Sequence, residues 1–260
     1  MKCNVCSTIS ELTFSKKVLY KYDVGYYLCP KCHFLQTEKP YWIDEAYSSA
    51  IADLDTGILV RNLLNIKVVQ KIITSFLNPK KTFLDFAGGH GTFTRLMRDI
   101  GFDYYSHDKY CENAYSSFFN KNNLKNEKFE LITAFELFEH IEDPISQLKE
   151  LFLHTDNIFI STSIHPNKKT ELEKWNYLVP ETGQHISFYS EKSLQYIAKE
   201  LEVNLVSNGS NYHLLSKRKK NTLLFRLICS NKTNRLIPLL NKPKSLTLTD
   251  FENIKLQSEK

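Results

Sequence analysis

Residues 82–108, TFLDFAGGHGTFTRLMRDIGFDYYSHD, constrain the fold more than any other stretch of the chain. Thr82–Phe86 reads as a buried strand and Gly88-Gly89-His90-Gly91 as a tight turn. Thr92–Ile100 has the spacing of a helix, and Tyr104–His107 reads as a second strand ending on Asp108. A strand, a glycine turn, a helix and a strand closed by a carboxylate form the layout of a nucleotide-type cofactor site in an α/β sheet. Glycines let backbone approach a ligand, and a carboxylate can grip ribose hydroxyls.

The spacing separates two classes of cofactor. A dinucleotide site would show G-x-G-x-x-G with pyrophosphate on the helix N-terminus. Here the run is Asp85-Phe86-Ala87-Gly88-Gly89-His90-Gly91. A carboxylate at the strand end repels pyrophosphate but suits an ammonium and a sulfonium. The run resembles the first motif, D/E-x-G-x-G-x-G, of class I S-adenosylmethionine (SAM) methyltransferases, with Ala87 in place of the first glycine. The resemblance implies an α/β, Rossmann-like class I methyltransferase sandwich. It places Asp85 beside the methionine end of SAM, with Ala87, Gly88, Gly89 and Gly91 under the cofactor and Asp108 on the ribose. Phe135 and Glu136 would close the floor.

At 260 residues and 42% hydrophobic, the chain suits one catalytic domain with small additions. No run approaches the roughly 18 apolar residues of a membrane span. Met1-Lys2-Cys3 begins no signal peptide, so a cytoplasmic protein is expected. Residues 212–260 hold 11 Lys/Arg against 3 Asp/Glu, so the net +5 divides into +8 at this end and −3 over residues 1–211. A basic end points to an anionic partner such as a nucleotide-linked substrate, an acidic glycan or a membrane surface; a solvated basic helix is the alternative.

Cys3-Asn4-Val5-Cys6 and Cys29-Pro30-Lys31-Cys32 give C-x2-C-x22-C-x2-C, close to the spacing of a four-thiolate zinc site. Each pair can aim two sulfurs at one ion, and the residues between can form a short hairpin. Forty residues bury too little core to fold alone, so structural zinc would supply the stability. A redox pair or disulfides are the alternatives. With four thiolates bound the ion has no open position for catalysis. His33 then falls outside the ligand set, and the isolated Cys111 and Cys229 pack.

Ile66–Phe76 has helical spacing, and the polar stretch Asp53–Gly57 with Arg61 precedes it. Many methyltransferases cap the cofactor with an N-terminal helix, which implies that Arg61 meets the SAM carboxylate. An ordinary surface arginine is the alternative. Phe129–Phe135 reads as a strand leading into Glu136-Leu137-Phe138-Glu139-His140-Ile141-Glu142-Asp143-Pro144. Its E-H-x-x-D-P ending resembles small-molecule methyltransferases, and Asp143 should cap a helix beginning at Pro144. Glu136, Glu139 and His140 share a face if the segment turns helically. That E-x-x-E-H pattern is similar to the divalent-metal segment of the ubiquinone-biosynthesis O-methyltransferases, which implies Mg²⁺ there; His140 as a base or substrate contact is the other reading. Asn157–Thr162 is a further strand, and the long loop 163–189 carries Trp175, Tyr177, Glu181, His185 and Tyr189. Long loops in compact domains are usually functional. Gly183–Ser190, GQHISFYS, resembles bacterial methyltransferases of surface-polysaccharide sugars. His185 in this loop is a candidate base, with a buried hydrogen-bonding histidine as the alternative. Closing antiparallel strands at Leu201–Ser207 and Asn211–Ser216 come next. Lys217–Lys260 should be helical and broken at Pro238 and Pro243.

Three parts are expected: a zinc ribbon (1–40), a SAM-dependent methyltransferase domain with N-terminal connecting helices (41–216) and a basic helical tail (217–260). The expected activity is O-methylation of a sugar or a nucleotide-linked or capsular glycan precursor, with Glu136, His140 and His185 handling the proton. RNA methylation is an alternative that the basic tail permits. Against it, the chain lacks the Asn/Asp-Pro-Pro-Tyr/Phe motif of base amino-group methyltransferases. A non-catalytic SAM-fold scaffold in a glycan-assembly complex is the third reading. The sequence does not specify an oligomeric state.

Overall fold

The computed structural model describes residues 1–48, 54–124, 128–230, 232–236 and 243–258. Ser49, Asp53 and Pro238 lie outside the described residues. The elements run in the order β1 (Glu11–Val18), β2 (Tyr22–Leu28), β3 (Leu35–Thr37), α1 (Ile43–Ala46), α2 (Ile58–Phe76), β4 (Thr82–Phe86), α3 (Thr92–Asp99) and β5 (Asp103–His107). They continue with β6 (Leu131–Phe135), α4 (Pro144–Phe152), β7 (Asn157–Ser161), α5 (Lys169–Leu172), β8 (Ser187–Phe188) and α6 (Glu191–Glu200). The chain closes through β9 (Asn204–Ser207), β10 (Tyr212–Ser216), α7 (Thr222–Cys229) and α8 (Thr247–Ser258).

These elements make a four-stranded sheet, β1-β2-β3-β8, and a six-stranded sheet, β5-β4-β6-β7-β10-β9. In the larger sheet β4 lies second from one edge, parallel to β5 (Thr82↔Asp103 to Phe86↔His107) and to β6 (Phe83↔Leu131 to Asp85↔Thr133). β10 and β9 pair antiparallel at its far edge, His213 opposite Ser207. Parallel strands joined through helices and an antiparallel closing pair make the Rossmann-like sandwich of the expected class.

Two compact units alternate along the chain: residues 1–55, 136–153 and 160–219 form the first, and 56–135, 154–159 and 220–260 the second. In the first unit β1 and β2 form an antiparallel hairpin from Glu11↔Leu28 to Val18↔Tyr22, turned through the left-handed residues Leu19 and Tyr20. β3 joins that hairpin and pairs on its other edge with β8, Leu35 opposite Phe188 and Gln36 opposite Ser187. The core mixes early and late residues: Phe14, Val24, Tyr26, Leu35 and Trp42 pack with Leu172, Leu178, Ile186 and Phe188. The long loop is therefore built structure, containing α5, a 3₁₀ turn at Asn176–Leu178 and β8. Ser190 caps α6 and exchanges a capping box with Ser193.

In the second unit α2 begins at Ile58, eight residues before the expected start, and takes Arg61 into its first turn. It buries Ile66, Val69, Ile72 and Ile73, positions three and four apart on one face. α7 buries Phe225 and Ile228, with Phe225 edge-on to Phe159 of β7. Among the described residues no helix is long and apolar enough to cross a membrane.

Candidate functional site

In the second unit the β4–α3 turn is shaped by contacts that leave no room for a side chain at Gly88 or Gly91. A Cβ at Gly88 would lie 2.6 Å from Asp85 Oδ2 and 2.7 Å from Ser106 Oγ. At Gly91, the left-handed residue before α3, it would strike Asn113 Oδ1 at 2.1 Å. Ala87 also has positive φ, +57°, which is why glycine is the unstrained residue at that position of the motif. A side chain at Gly89 would meet nothing within 4 Å, so one face of the turn is open.

Asp85 is buried, and its Oδ1 accepts from Thr133 Oγ1 at 2.9 Å. Burial pushes its carboxyl up to about 7; the Thr133 bond opposes this and the nearby Asp108 charge adds to it. Ser106 Oγ, also buried, has no hydrogen-bond partner among the described residues. Asp108 accepts from the backbone N–H groups of Gly89 at 2.9 Å, Tyr110 at 2.7 Å and Cys111 at 2.8 Å. A carboxylate offers about four acceptor positions, so a free one remains on an oriented group. A close-approach glycine, an orphaned buried hydroxyl, an open turn face and two carboxylates fit a ligand with ammonium and ribose groups. Phe135 ends β6 with its ring edge-on to Phe93 and Phe159. Arg61 lies on the first turn of α2 with its guanidinium beside Gly57.

In the first unit the four cysteines Cys3, Cys6, Cys29 and Cys32 offer sulfurs that all lie within 4.8 Å of one another. Cys3 and Cys32 are 3.5 Å apart and Cys6 and Cys29 3.4 Å. Tetrahedral zinc with Zn–S of ~2.3 Å needs sulfur separations of ~3.8 Å, so the donor set suits that ion. Within each knuckle an N–H turns back on sulfur: Val5 N to Cys3 Sγ at 3.4 Å and Cys32 N to Cys29 Sγ at 3.5 Å. His33 stands outside the set with φ +57°, its carbonyl accepting from His165 Nε2 at 2.7 Å.

The same unit gathers the expected proton-handling residues. Glu136 does not continue a helix: its φ is +48°, and only Phe138–His140 form a 3₁₀ turn. The i, i+3, i+4 face anticipated for Glu136, Glu139 and His140 is thus absent, and Tyr177 joins the two carboxylates instead. Its hydroxyl donates to Glu139 Oε1 in a short bond and lies 3.4 Å from Glu136 Oε2. Burial, reinforced by those carboxylates, holds the Tyr177 hydroxyl well above its usual range, so it remains a donor. Ser161 Oγ donates to Glu136 Oε1 at 2.6 Å.

His185 Nδ1 is 2.7 Å from the Tyr177 carbonyl and His140 Nδ1 is 3.0 Å from that of Gln184. A carbonyl only accepts, so Nδ1 carries the proton in both rings and Nε2 bears the lone pair in the neutral form. The rings meet edge to face at 4.9 Å. Burial, reinforced by the neighbouring His185, pushes His140 down to about 3, leaving it neutral at physiological pH. Glu139, His140 and His185 each present a ligand atom within 4.8 Å of the others. The sequence pattern does not mark Thr133, Ser106 or Tyr177 as site residues. Thr133 had one visible signal, a hydroxyl in an otherwise apolar strand.

A family model described as a methyltransferase domain matches residues 61–208. No curated protein matches the chain. Among solved structures, magnesium protoporphyrin IX methyltransferase from Synechocystis PCC 6803 with bound SAH is 15% identical, with 66% of this chain and 90% of that one covered at a TM-score of 0.45. The YcgJ protein of Bacillus subtilis is 17% identical over 54% of this chain and 69% of that one, TM-score 0.41. The mitomycin 7-O-methyltransferase MmcR is 9% identical over 68% and 60%, TM-score 0.43.

Proposed function

The chain belongs to the methyltransferase-domain family, and from that premise we propose that this SAM-dependent methyltransferase O-methylates a sugar, on a nucleotide-linked or capsular-type glycan precursor. The observation that carries the reading is the cluster of Glu136, Tyr177, Glu139, His140 and His185. A sugar hydroxyl is a very weak acid, and such a cluster is what its deprotonation requires.

SAM supplies a methyl group already activated on a sulfonium. Asp85, Ala87, Gly88, Gly89, Gly91, Asp108 and Phe135 would hold it, with Arg61 as a contact to its carboxylate. The chain's remaining task is to align the acceptor oxygen and remove its proton. His185 would take that proton on Nε2, because the Tyr177 carbonyl fixes the other nitrogen as N–H. His140, held neutral beside it, would position the His185 ring, and Glu136 and Glu139 would stabilise the imidazolium that forms. Residues 1–40 would be a zinc ribbon on Cys3, Cys6, Cys29 and Cys32, residues 41–216 the methyltransferase domain, and residues 217–260 a basic tail suited to an anionic acceptor. A cytoplasmic location fits an enzyme drawing on SAM and nucleotide-linked sugars.

The convergence of Glu139, His140 and His185 favours a second reading, in which a divalent cation such as Mg²⁺ binds there and lowers the acidity barrier of the hydroxyl. Chelation separates the two: activity that survives exhaustive chelation assigns the proton to His185 alone, and activity that Mg²⁺ restores assigns it to the cation.

Purified protein incubated with labelled SAM and a panel of nucleotide sugars, glycan fragments and RNA should transfer label to a sugar; label on RNA alone would replace this reading. His185→Ala should cut turnover by roughly 10²–10⁴ with SAM affinity retained. Wild-type turnover in both His185→Ala and His140→Ala would remove the proton-transfer assignment.

A further inference from the structure

Within the first unit, Pro166, Thr170, Glu171, Lys174, Trp175 and Asn176 line an open cleft of about 720 Å³ that no step above uses. Thr170, Glu171, Lys174 and Asn176 are exposed, so the cleft is shallow and would cover one face of a ligand rather than enclose it. The chain has two tryptophans. Trp42 is buried, its Nε1 donating to the Gly183 carbonyl at 2.8 Å. Trp175 is half-buried and forms part of the cleft wall. Its ring is fixed by Tyr177 at 5.1 Å and by Phe188 at 6.0 Å. An indole packed on protein and presented to a cleft is a rigid apolar platform that loses little entropy on binding.

The polar groups around it are one hydroxyl (Thr170), one carboxylate (Glu171), one ammonium (Lys174) and one amide (Asn176). Glu171 also pairs with Lys168 at 3.2 Å, which orients it. Donors and acceptors in near-equal number, with opposite charges close to balance, complement groups that both donate and accept, as sugar hydroxyls do. Phosphate would call for excess positive charge. The apolar C–H face of a pyranose matches the indole.

The cleft is also placed to serve the proton-handling cluster. From Trp175 a line of ring contacts runs to Tyr177 at 5.1 Å, to His185 at 4.9 Å and to His140 at 4.9 Å. Two ring-to-ring contacts, through Tyr177, therefore link the platform to His185.

We propose that the Trp175 cleft binds the sugar next to the one that is methylated, so that the acceptor is an oligosaccharide or glycoside of at least two rings. The proposal rests on the reading of the acceptor as a sugar. Maltotetraose, chitotetraose and a hyaluronan tetrasaccharide serve as probes of the full-length protein, with binding followed by calorimetry and tryptophan fluorescence. SAM affinity is measured separately on each protein. At least one tetrasaccharide should bind; Trp175→Ala should weaken it tenfold or more, Trp175→Phe should keep most of the affinity, and SAM affinity should be the same in all three proteins. Tetrasaccharide binding that Trp175→Ala leaves intact overturns the proposal. So does the binding of no tetrasaccharide to wild-type protein that binds SAM. Label transfer with equal kcat/KM to a single sugar and to its tetrasaccharide overturns it as well, while leaving the sugar reading in place. Label transfer confined to acceptors without sugar removes the sugar reading itself.

Discussion

At the scale of single residues the least comfortable group is Asp85. Its carboxyl is held up at about 7 by burial, against an ordinary value of 3.8. Between those two pH values the folded chain keeps a proton that the unfolded chain has lost. Stability of the ligand-free protein should therefore fall as pH rises from ~4 to ~7, the opposite of the usual carboxylate. Asp85→Asn keeps an oxygen for the Thr133 hydroxyl and carries no charge. At pH 8 the variant should be more stable than wild type by on the order of 2–4 kcal/mol, the gain shrinking towards pH 5, and its affinity for SAM should drop. Denaturant melts of both proteins across that range measure this, and a difference that does not change with pH would contradict it. Asp85 was legible in the sequence because an acid at the end of an apolar strand, before a glycine turn, has few structural uses. Tyr177 was not legible as a partner of Glu136 and Glu139. Its hydroxyl reaches them only because Asn176–Leu178 form a 3₁₀ turn and Glu136 adopts a left-handed backbone, both dictated by tertiary packing.

Among elements, the cysteine knuckles show how far a local reading carries. Four thiols at C-x2-C spacing and a hairpin between them could be read locally, and the sulfurs do converge. What spacing could not show is that β3, just after Cys32, pairs with β8 roughly 150 residues later. Ser190, the cap of α6, donates its hydroxyl to the Cys32 carbonyl at 3.2 Å, tying a second element to the same knuckle. Zinc should be present at about one ion per chain, and Cys29→Ser should release it. The loosening should then reach β8 and the first turn of α6, because both hang on the strand that the knuckle fixes. Hydrogen exchange should show lost protection at Ser187, Phe188 and Ser193 as well as in β1 and β2. Elemental analysis finding no zinc in gently purified protein removes the ion. Loss of protection confined to residues 1–40 would mean that β3–β8 pairing stands without it.

For the whole molecule, the instructive feature is where the chain's basic end goes. Residues 212–260 carry a net +8, yet one of their three acids, Asp250, is buried. It accepts from Arg98 Nε at 2.8 Å and Nη2 at 2.7 Å, and from Arg95 Nη2 at 2.8 Å, across 152 and 155 positions of sequence. Arg98 is itself enclosed: it also reaches Asp103 at 2.6 Å and the Tyr104 carbonyl at 2.9 Å, and its guanidinium lies 3.5 Å from the centre of the Phe119 ring. The Leu246 N–H donates to the Arg98 carbonyl at 3.1 Å, fixing the approach to α8. The helix is thus docked on α3 by a desolvated ion cluster. Charge counting could not separate this acid from its basic surroundings. Removing Asp250 leaves the buried Arg98 with only the partly exposed Asp103 as counter-charge, at a cost of up to ~3–5 kcal/mol. Asp250→Ala should therefore lower the melting temperature or release α8, seen as lost exchange protection over residues 247–257. Replacing both groups with apolar residues, Arg98→Met with Asp250→Leu, should recover much of the loss, because neither charge is then left unpaired. If Asp250→Ala melts with wild type and α8 keeps its protection, the cluster contributes no more than an exposed ion pair, and the packing around Leu246 holds the helix by itself.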